Sequence, residues 1–491
     1  MPEEDHDIVV VGGGTSGTFA AGAAADKGLD VAVLERKPEE EAGHIACGDA
    51  IHDPTNEEEF SGPFDMESVA ERAQSDNNIR RGLYLDEELG VEREIDFADN
   101  PGNVVDRWAW GRALLDEAED AGAEIHYDTV VNDVLQDGKV EGVEAVRDGE
   151  PVSYNADLVI DATGALSDVQ DWINFEDLEG DTAFDTNVNY RQFGSAYREI
   201  IELQKPLSEF EGVEDYSDAL VVKPTKEYGY LWYFPRSETE INVGLGFQMN
   251  QEPMKLVEVL REDIQDRPEY QGAEVKDKLG AALGLRRPLD SAVAPGFITV
   301  GDAAGMVSPT TGKGITGAAI SGWSAGEVGG EAVLDGDVSE ENMWDHNHYI
   351  FSKHGEGAKL AKQDVYNITG SAYEMDELRG GIATLPIDPL MDAVSGSSGD
   401  YSWRDLASVL GGLGARNFQQ WRKGTFDDLD TTQRRTLEVL REVYEVTGPA
   451  EELRQHYEAY PEDREDFEAW KQRRDNIDQE IVDLTGADPK Y

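Results

Sequence analysis

The sequence predicts an α/β protein with an inserted antiparallel β-sheet and a helical C-terminal region. Three observations support this fold class. Buried strands alternate with glycine-rich turns and small-residue helices near both ends of residues 1–335, which is typical of a Rossmann-like domain. Isolated aromatic strands occupy residues 170–290, and residues 336–491 are mostly helical and highly charged. We therefore expect one nucleotide-binding domain made of residues 1–169 and 291–335, interrupted by a β-rich domain.

The first strand leads into a dinucleotide-binding motif. Ile8 to Val11 form an apolar β-branched run, and Gly12, Gly14 and Gly17 follow it in the pattern GxGxxG. The first glycine permits a tight turn, the second lets the backbone approach a pyrophosphate, and the third lets the next helix pack closely. Backbone N–H groups at the helix start, beside Ser16, then point at the phosphates.

The second strand strengthens this interpretation, since glycine-rich turns alone are common. Asp30 to Leu34 form a strand that ends at Glu35, about 20 residues past the glycines. A carboxylate there can accept a hydrogen bond from a ribose 2′-OH, and it would repel a 2′-phosphate. The sequence therefore predicts FAD or NAD rather than NADP, in preference to a plain strand-turn-helix unit.

Two later strands repeat the pattern of the first. The strand from Leu158 to Asp161 ends in small residues up to Gly164, and the strand from Phe297 to Val300 ends at a glycine followed by Asp302. The glycines between Pro309 and Ile315 permit close backbone approach. The helix that follows offers its first N–H groups to an electron-rich carbonyl or an anionic ring.

Aromatic residues alternate along one predicted strand of the inserted segment. Period-two alternation places Tyr230, Trp232 and Phe234 on one face of the strand from Gly229 to Pro235. Asn187 to Phe193 form another predicted strand of this kind. The aromatic row either packs against a layer of helices or lines a wide apolar groove for a long ligand.

The composition is strongly acidic. The chain carries 42 Lys and Arg residues against 103 Asp and Glu residues, a net charge of −61 that is spread along the whole sequence. Molar salt screens such self-repulsion, because the Debye length falls to about 3 Å. We therefore expect a halophilic cytoplasm, in preference to an acidic protein at ordinary salt. Nucleic acid is disfavoured as a partner because its binding needs a basic surface.

Cysteine and histidine usage disfavours a metal site. Cys47 is the only cysteine, which excludes an internal disulfide and a thiolate-rich metal site. His346, His348 and His354 come closest to a histidine cluster, but residues i and i+2 do not share a helix face. We expect no bound metal.

The sequence carries neither a membrane span nor an export signal. No apolar run reaches about 18 residues, and the acidic start lacks the basic and apolar regions of a signal peptide. We expect a cytoplasmic protein, and peripheral binding at the inner face of the cell membrane stays open.

These motifs, in this order, resemble the geranylgeranyl reductase family of flavoproteins, within the group that has the p-hydroxybenzoate hydroxylase type of FAD fold. The resemblance covers roughly residues 5–335. It rests on the following motifs: Gly12-x-Gly14-x-x-Gly17 with Glu35, Cys47-Gly48-Asp49, Asp106-Arg107, Asp161-Ala162-Thr163-Gly164, Tyr230-x-Trp232-x-Phe234-Pro235 with Gly244-x-Gly246, and Gly301-Asp302 with Gly312-x-Gly314. The cysteine-glycine loop and the aromatic strand point to the reductases within the larger group.

The resemblance implies FAD as cofactor, bound in an extended form by a Rossmann-like FAD-binding domain. The implied cofactor-binding residues are Gly12, Gly14, Ser16, Gly17, Glu35, Arg36, Cys47, Gly48, Arg107, Val131, Gly164, Asp302, Gly312, Gly314 and Ile315. The implied prenyl-binding residues are Tyr230, Trp232, Phe234 and Gly246. Two departures bear on the site: Asp49-Ala50 stands where the family usually has Glu-Gly, and Thr163 stands where related flavoproteins often have Asp.

The activity implied is FAD-dependent saturation of the double bonds of geranylgeranyl chains on archaeal ether lipids. Its partners are then a geranylgeranylated lipid and an electron donor, either ferredoxin or reduced nicotinamide. An isolated alkene needs a proton as well as a hydride, and Cys47 is the side chain we expect to supply it. Asp49, a water and the flavin are the alternatives. The rival functions are a flavin monooxygenase, which would not need Cys47, and a flavin electron carrier to quinone.

Overall fold

The computed structural model describes residues 2–51, 60, 62, 64–73, 78–88, 90–96, 102–184, 193–226, 229–248, 254–352, 354–371 and 430–486. Its strands are β1 (Glu3–Val11), β2 (Val31–Leu34), β3 (Ala50–Ile51), β4 (Asn78–Ile79), β5 (Arg81–Asp86), β6 (Val91–Asp96), β7 (Gly102–Val104), β8 (Glu124–His126), β9 (Thr129–Gln136), β10 (Val140–Arg147), β11 (Glu150–Asp161), β12 (Phe193–Glu202), β13 (Ala219–Pro224), β14 (Gly229–Pro235), β15 (Glu240–Gln248), β16 (Glu274–Gly284), β17 (Val293–Ala294) and β18 (Phe297–Thr299). Its helices are α1 (Thr15–Asp26), α2 (Met66–Ala73), α3 (Arg107–Asp120), α4 (Lys255–Ile264), α5 (Ile315–Asp335), α6 (Trp344–Phe351), α7 (Gly357–Ser371), α8 (Asp430–Glu458) and α9 (Phe467–Thr485).

The first sheet has the strand order β17-β18-β11-β1-β2-β8. Its central strands run parallel, and Val9 on β1 is paired with Val159 on β11 and with Ala32 on β2. The apolar run of β1 is fully buried because helices cover the sheet, and α1 packs against α5. The carboxyl ends of β1, β2, β11 and β18 therefore meet at one edge of the sheet, where the glycine-rich turns lie.

The second sheet has the order β16-β12-β15-β14-β13-β5-β6. It is antiparallel except for the parallel pair β13 and β5. Residues 81–96, which the sequence analysis assigned to the nucleotide-binding segment 1–169, contribute β5 and β6 to this sheet. The prediction missed this because β5 pairs with β13, which is distant in sequence. The local sequence pattern of β5 does not indicate which strand it pairs with. The predicted domain limits otherwise stay predictions.

The C-terminal region is helical where the structure describes it, and α8 packs against both α7 and α9. Buried ion pairs join α9 to the segment before β17, since Arg287 pairs with Asp478, and Asp290 pairs with Arg474. Helices α1 and α5 of the first sheet and the C-terminal helices α8 and α9 thus contribute to one hydrophobic core. The architecture agrees with the predicted fold class. Part of the predicted strand at 187–193 lies outside the described residues, and β12 begins at its last residue, Phe193.

Among the helices that the structure describes, none is both long and apolar enough to cross a membrane.

Candidate cofactor and substrate site

The turn between β1 and α1 has the shape that a pyrophosphate needs. A side chain at Gly12, whose φ is +111°, would overlap the carbonyl oxygen of Ala162, and a side chain at Gly17 would overlap that of Gly12. Gly14 differs, because a Cβ there would meet no atom within 4 Å. Two glycines are therefore required by packing, whereas the third borders open space at the helix start, as phosphate binding requires.

Glu35 is fixed at the end of β2 by backbone donors. Its Oε2 accepts a hydrogen bond from Gly13 N at 2.9 Å, and its Oε1 accepts one from Lys37 N at 2.8 Å. Each carboxylate oxygen keeps a second lone pair. Glu35 thus joins the glycine turn to β2 and can still accept a hydrogen bond from a ribose hydroxyl.

Arg107 is the first residue of α3, and its side chain reaches the glycine turn at the edge of the first sheet. Asp106 caps this helix by accepting from Trp108 N at 3.0 Å and Ala109 N at 3.2 Å, which orients the first turn. The Arg107 side chain is buried, and its Nη2 donates to Thr15 Oγ1 at 2.7 Å. Its Nε is buried with no hydrogen-bond partner among the described residues. An orphaned guanidinium donor beside the glycine turn fits an anionic or carbonyl-bearing cofactor.

Asp302 and the start of α5 complete the edge. Gly301 packs against Ser16, and a Cβ at Gly314 would lie 3.3 Å from Asp302 Oδ1. Burial raises the pKa of Asp302 to about 6, although Arg286 and Arg107 oppose this shift. Helix α5 begins at Ile315 without a side-chain cap from Gly314, and the positive end of its dipole favours an anionic or electron-rich group there. These donors and acceptors fit the phosphates, ribityl chain and ring of FAD.

The other predicted cofactor residues lie around this edge. Gly312 has a φ of +70° and precedes α5, and Gly164 has a φ of +83° after β11. Arg36 is exposed after β2, and Val131 lies half-buried on β9. Their roles toward a cofactor stay predictions.

The aromatic row of β14 lies on the face of the second sheet that is turned away from α4. The opposite face carries Leu231 and Tyr233, which belong to a hydrophobic core with Leu256 and Leu260 of α4. The residues of β14 that pack against helix α4 are therefore Leu231 and Tyr233, which alternate with the aromatic row. Tyr230, Trp232 and Phe234 are left to face the cofactor edge and the Cys47 loop.

Contacts join this row to the cofactor edge. Tyr230 Oη donates to the carbonyl oxygen of Thr311 at 2.7 Å, in the loop before α5. A Cβ at Gly48 would lie 2.9 Å from Phe234, so only glycine lets the loop approach this ring. At Gly246 a Cβ would be in ordinary van der Waals contact with the carbonyl oxygen of Ser195, at 3.5 Å, so the role of this residue toward a prenyl chain stays a prediction.

The Cys47 loop is held to the second sheet by a buried polar network. Asp49 is fully buried, and its Oδ2 accepts from Arg236 Nε at 3.1 Å, from Arg236 Nη2 at 2.5 Å and from Asn242 Nδ2 at 2.5 Å. Asn242 Nδ2 also donates to the carbonyl oxygen of Cys47 at 2.8 Å, and Asn242 Oδ1 accepts from Trp232 Nε1 at 2.9 Å. The loop and the aromatic row are thus one connected unit.

The thiol of Cys47 lies partly exposed between this network and Arg107. Asp49 N donates to Cys47 Sγ at 3.3 Å. Desolvation raises the pKa of the Cys47 thiol, and the charge of Asp49 raises it further, against the opposing effect of Arg107. The thiol is therefore held in its protonated form, which can donate a proton.

The sequence analysis did not single out Arg198, Arg236 or Asn242. Arg198 is buried on β12, pairs with Asp277 and approaches the carbonyl oxygen of Ile45 at 3.5 Å. Asn242 had a detectable signal, because alternation along β15 places it on the same face as Gly244, opposite Phe234. A buried polar residue on the glycine-bearing face of a strand whose other face packs in the core marks a candidate site residue.

A histidine pair lies beside an acidic residue at the start of β1. Glu4, His6 and His126 have potential metal-ligand atoms within 4.8 Å of one another. Arg147 Nη1 lies 3.1 Å from His126 Nδ1 and 3.4 Å from Glu4 Oε2. A guanidinium already neutralises this cluster, and we assign no metal to it.

Comparison with known proteins identifies two parts of the chain. Residues 7–170 match the family model described as FAD dependent oxidoreductase, and residues 201–282 match the model described as geranylgeranyl reductase catalytic domain. A digeranylgeranylglycerophospholipid reductase of Methanothrix thermoacetophila is 31% identical over 344 residues, which is 69% of this chain and 81% of the relative. A protein of the same name from Sulfolobus acidocaldarius is 24% identical over 484 residues, 97% of this chain and 98% of the relative.

Solved structures share the fold. A geranylgeranyl bacteriochlorophyll reductase-like protein of Thermoplasma acidophilum matches with a TM-score of 0.63 and 22% identity over 88% of this chain and 100% of its own. A flavin-dependent brominase matches with a TM-score of 0.57 and 15% identity over 84% of this chain and 100% of its own. The matches confirm the predicted fold class and the FAD cofactor. This chain belongs to the geranylgeranyl reductase family of FAD-dependent oxidoreductases.

Proposed function

We propose that the protein saturates carbon-carbon double bonds in the geranylgeranyl chains of archaeal ether lipids, with FAD as cofactor. The observation that carries this proposal is the Asn242 link, which joins Trp232 of the aromatic row to the backbone of Cys47. This link joins a proton-donating thiol to an apolar surface, and the hydrogen bond from Tyr230 to Thr311 joins that surface to the loop before α5, as reduction of an apolar alkene requires.

Bound FAD, once reduced, is the source of the hydride. Glu35, Arg107, Asp302 and the start of α5 would hold the cofactor. The chain itself must then supply a proton, because an isolated trisubstituted alkene has no group that stabilises negative charge. The Cys47 thiol donates that proton as positive charge develops on the more substituted carbon.

The aromatic row binds the prenyl chain. Tyr230, Trp232 and Phe234 exclude water beside the thiol, and Gly246 is paired with Tyr230 on the neighbouring strand. Burial of the chain contributes about 0.8 kcal/mol per CH₂. Such a substrate resides in lipid, so the protein acts peripherally at a membrane surface. Its electron donor is ferredoxin or reduced nicotinamide.

Product mass is the test of this function. Enzyme reduced with dithionite is incubated anaerobically with a digeranylgeranyl glycerophospholipid, and the lipid mass is measured. Saturation adds two hydrogens for each double bond. A monooxygenase, tested with oxygen, adds an oxygen atom, and an electron carrier leaves the lipid unchanged and reduces an added quinone instead. An unsaturated lipid fraction in a deletion strain would extend the result to the cell.

A further inference from the structure

Four residues of the Cys47 loop contact four neighbouring strands of the second sheet, in the order of those strands. The contacts are His44 with Asp277 on β16, Ile45 with Arg198 on β12, Cys47 with Asn242 on β15, and Gly48 with the Phe234 ring on β14. β16, β12, β15 and β14 lie side by side in this order. The loop therefore runs across the strands, from β16 to the aromatic row.

The strand residues that hold the loop share one face of the sheet. Phe234 is paired with Asn242, Asn242 with Ile200, and Ile200 with Asp277, so these four residues form one row across the sheet. Directly paired residues of antiparallel strands point to the same face. Arg198 lies two residues from Ile200 and shares that face. The loop is therefore attached to the face of the sheet that carries the aromatic row.

Polar contacts at its two ends, rather than burial, hold this loop in place. None of residues 43–48 is buried, and Ile45 is 37% exposed. At the last end of the loop, Asp49 is fully buried and accepts hydrogen bonds from Arg236 and Asn242. The first end has no such buried residue, so its position depends on the His44 side chain.

His44 makes two contacts with its surroundings. Although burial opposes it, hydrogen bonds from Arg198 and His44 lower the pKa of the Asp277 carboxyl, which is therefore an ionised acceptor. Asp277 Oδ2 lies 2.8 Å from His44 Nε2, so this nitrogen is the protonated one and donates to the carboxylate. The imidazole ring also stacks on Trp108 at the start of α3, with ring centroids 4.9 Å apart. The hydrogen bond ties the loop to the second sheet, and the stacking ties it to α3.

The segment between the two anchored ends is short. Residues 45–48 separate His44 from Asp49, and Cys47 is one of them. A residue spans at most about 3.6 Å of chain, so this segment leaves the thiol little freedom while both ends are held. Loss of the His44 contact would let the segment move away from the sheet while Asp49 stays in place.

We propose that His44 is a positioning residue for Cys47: its hydrogen bond to Asp277 fixes the first end of the loop on the second sheet and holds the thiol in reach of the alkene. This inference rests on the proposed function. Because the thiol acts only in the transition state, its misplacement should lower kcat and leave KM nearly unchanged.

Two substitutions separate the hydrogen bond from the stacking contact. His44→Gln keeps an N–H donor for Asp277 and lacks the ring, whereas His44→Phe keeps a ring for Trp108 and lacks the donor. With dithionite-reduced enzyme, His44→Phe should lose about tenfold or more in kcat with FAD bound and KM within about threefold, whereas kcat of His44→Gln should stay within about threefold of wild type. A wild-type kcat in His44→Phe, or a lower kcat in His44→Gln than in His44→Phe, would overturn the proposal.

A double-mutant cycle checks that His44 acts through Asp277. Asp277→Ala removes the acceptor, so adding His44→Phe to it should lower kcat by less than about twofold. A further loss as large as that of the single His44→Phe variant contradicts the proposal. If His44→Phe fails to bind FAD, Asp277→Ala alone takes its place, and a wild-type kcat in that variant counts against the proposal.

Hydrogen exchange tests the anchor without any lipid. In the FAD-bound protein, His44→Phe should speed amide exchange of a peptide covering residues 43–49 by about tenfold or more and leave exchange in β1 and β15 unchanged. Equal exchange of this peptide in the wild type and the variant would show that His44 does not hold the loop. If the wild type saturates no lipid, the proposed function fails, while the exchange rates still decide whether His44 fixes the loop.

Discussion

Single atoms determine which groups of the site are free to react and which are structural. Asp49 Oδ2, Asn242 and Arg236 are joined by hydrogen bonds, whereas Asp49 Oδ1 and Arg107 Nε have no partner within the described part of the chain. Glycines of one motif differ in the same way, since Gly12 and Gly17 are packed and Gly14 is open. Substitution of Gly14 should therefore affect cofactor binding, whereas substitution of Gly17 should affect folding.

Gly14→Leu should abolish FAD binding while leaving the apoprotein folded. Its Cβ meets no protein atom within 4 Å, so the new side chain occupies only the space expected for the pyrophosphate. Gly17→Ala is the matched control, because its Cβ would overlap the carbonyl oxygen of Gly12 and should lower the thermal midpoint of the apoprotein itself. Flavin absorbance after gel filtration and thermal unfolding measure the two effects. Retention of FAD by Gly14→Leu would place the pyrophosphate elsewhere.

Cys47→Ser should retain FAD and lose alkene reduction by about 100-fold or more, which corresponds to about 2.7 kcal/mol or more at the barrier. A hydroxyl is a far weaker acid than the thiol at this position. Anaerobic assays with dithionite-reduced enzyme avoid confusion with loss of the natural electron donor. Unchanged turnover would reduce Cys47 to a packing role and would transfer the acid role to a water, the flavin or Asp49.

The site depends on close contact between a loop and a strand. The Cys47 loop has little regular structure of its own, and its position comes from β14 and β15 through Asn242, Phe234 and the Arg236 ion pair. The two strands act as a rigid scaffold for the loop. A larger side chain in the loop is tolerated only where the strands leave space for it.

Gly48→Ala should therefore displace the loop, because the added methyl would lie 2.9 Å from Phe234. We expect a loss of turnover of about tenfold with FAD still bound, since a shift of about 1 Å is enough to misalign reacting atoms. Adding Phe234→Leu creates space and should restore part of the turnover. A double variant as slow as the single one would show that the ring contact does not position the loop.

The whole molecule carries a net charge of −61, and its described cations are often committed to local ion pairs such as Lys362 with Glu451 and Arg287 with Asp478. Dispersed carboxylates repel over a Debye length that grows from about 3 Å at 1 M salt to about 10 Å at 0.1 M. Stability should therefore depend on salt through long-range repulsion rather than through any single pair.

Dilution from molar to millimolar KCl should unfold the chain and release FAD. Circular dichroism and flavin fluorescence against KCl concentration measure the two events. Because specific cation effects also stabilise proteins, KCl and NaCl are compared at equal ionic strength and should act alike if screening is the cause. Equal stability at millimolar and molar salt would show that the acidic composition has another origin.

Local pattern was sufficient to predict the nucleotide-binding strands, the glycine turns, Glu35 and the aromatic row, because each depends on periodicity or on steric demands within about 20 residues. Family resemblance added Cys47 and the identity of the cofactor. The pairing of β5 with β13, and the burial of Asp49 against Arg236 and Asn242, were decided only in the folded molecule. Asp49 lies 187 residues before Arg236 and 193 residues before Asn242, and these groups meet only because the Cys47 loop packs on the second sheet. A buried ion pair has no local signature, since each of its members resembles an ordinary surface residue until desolvation and distance are known.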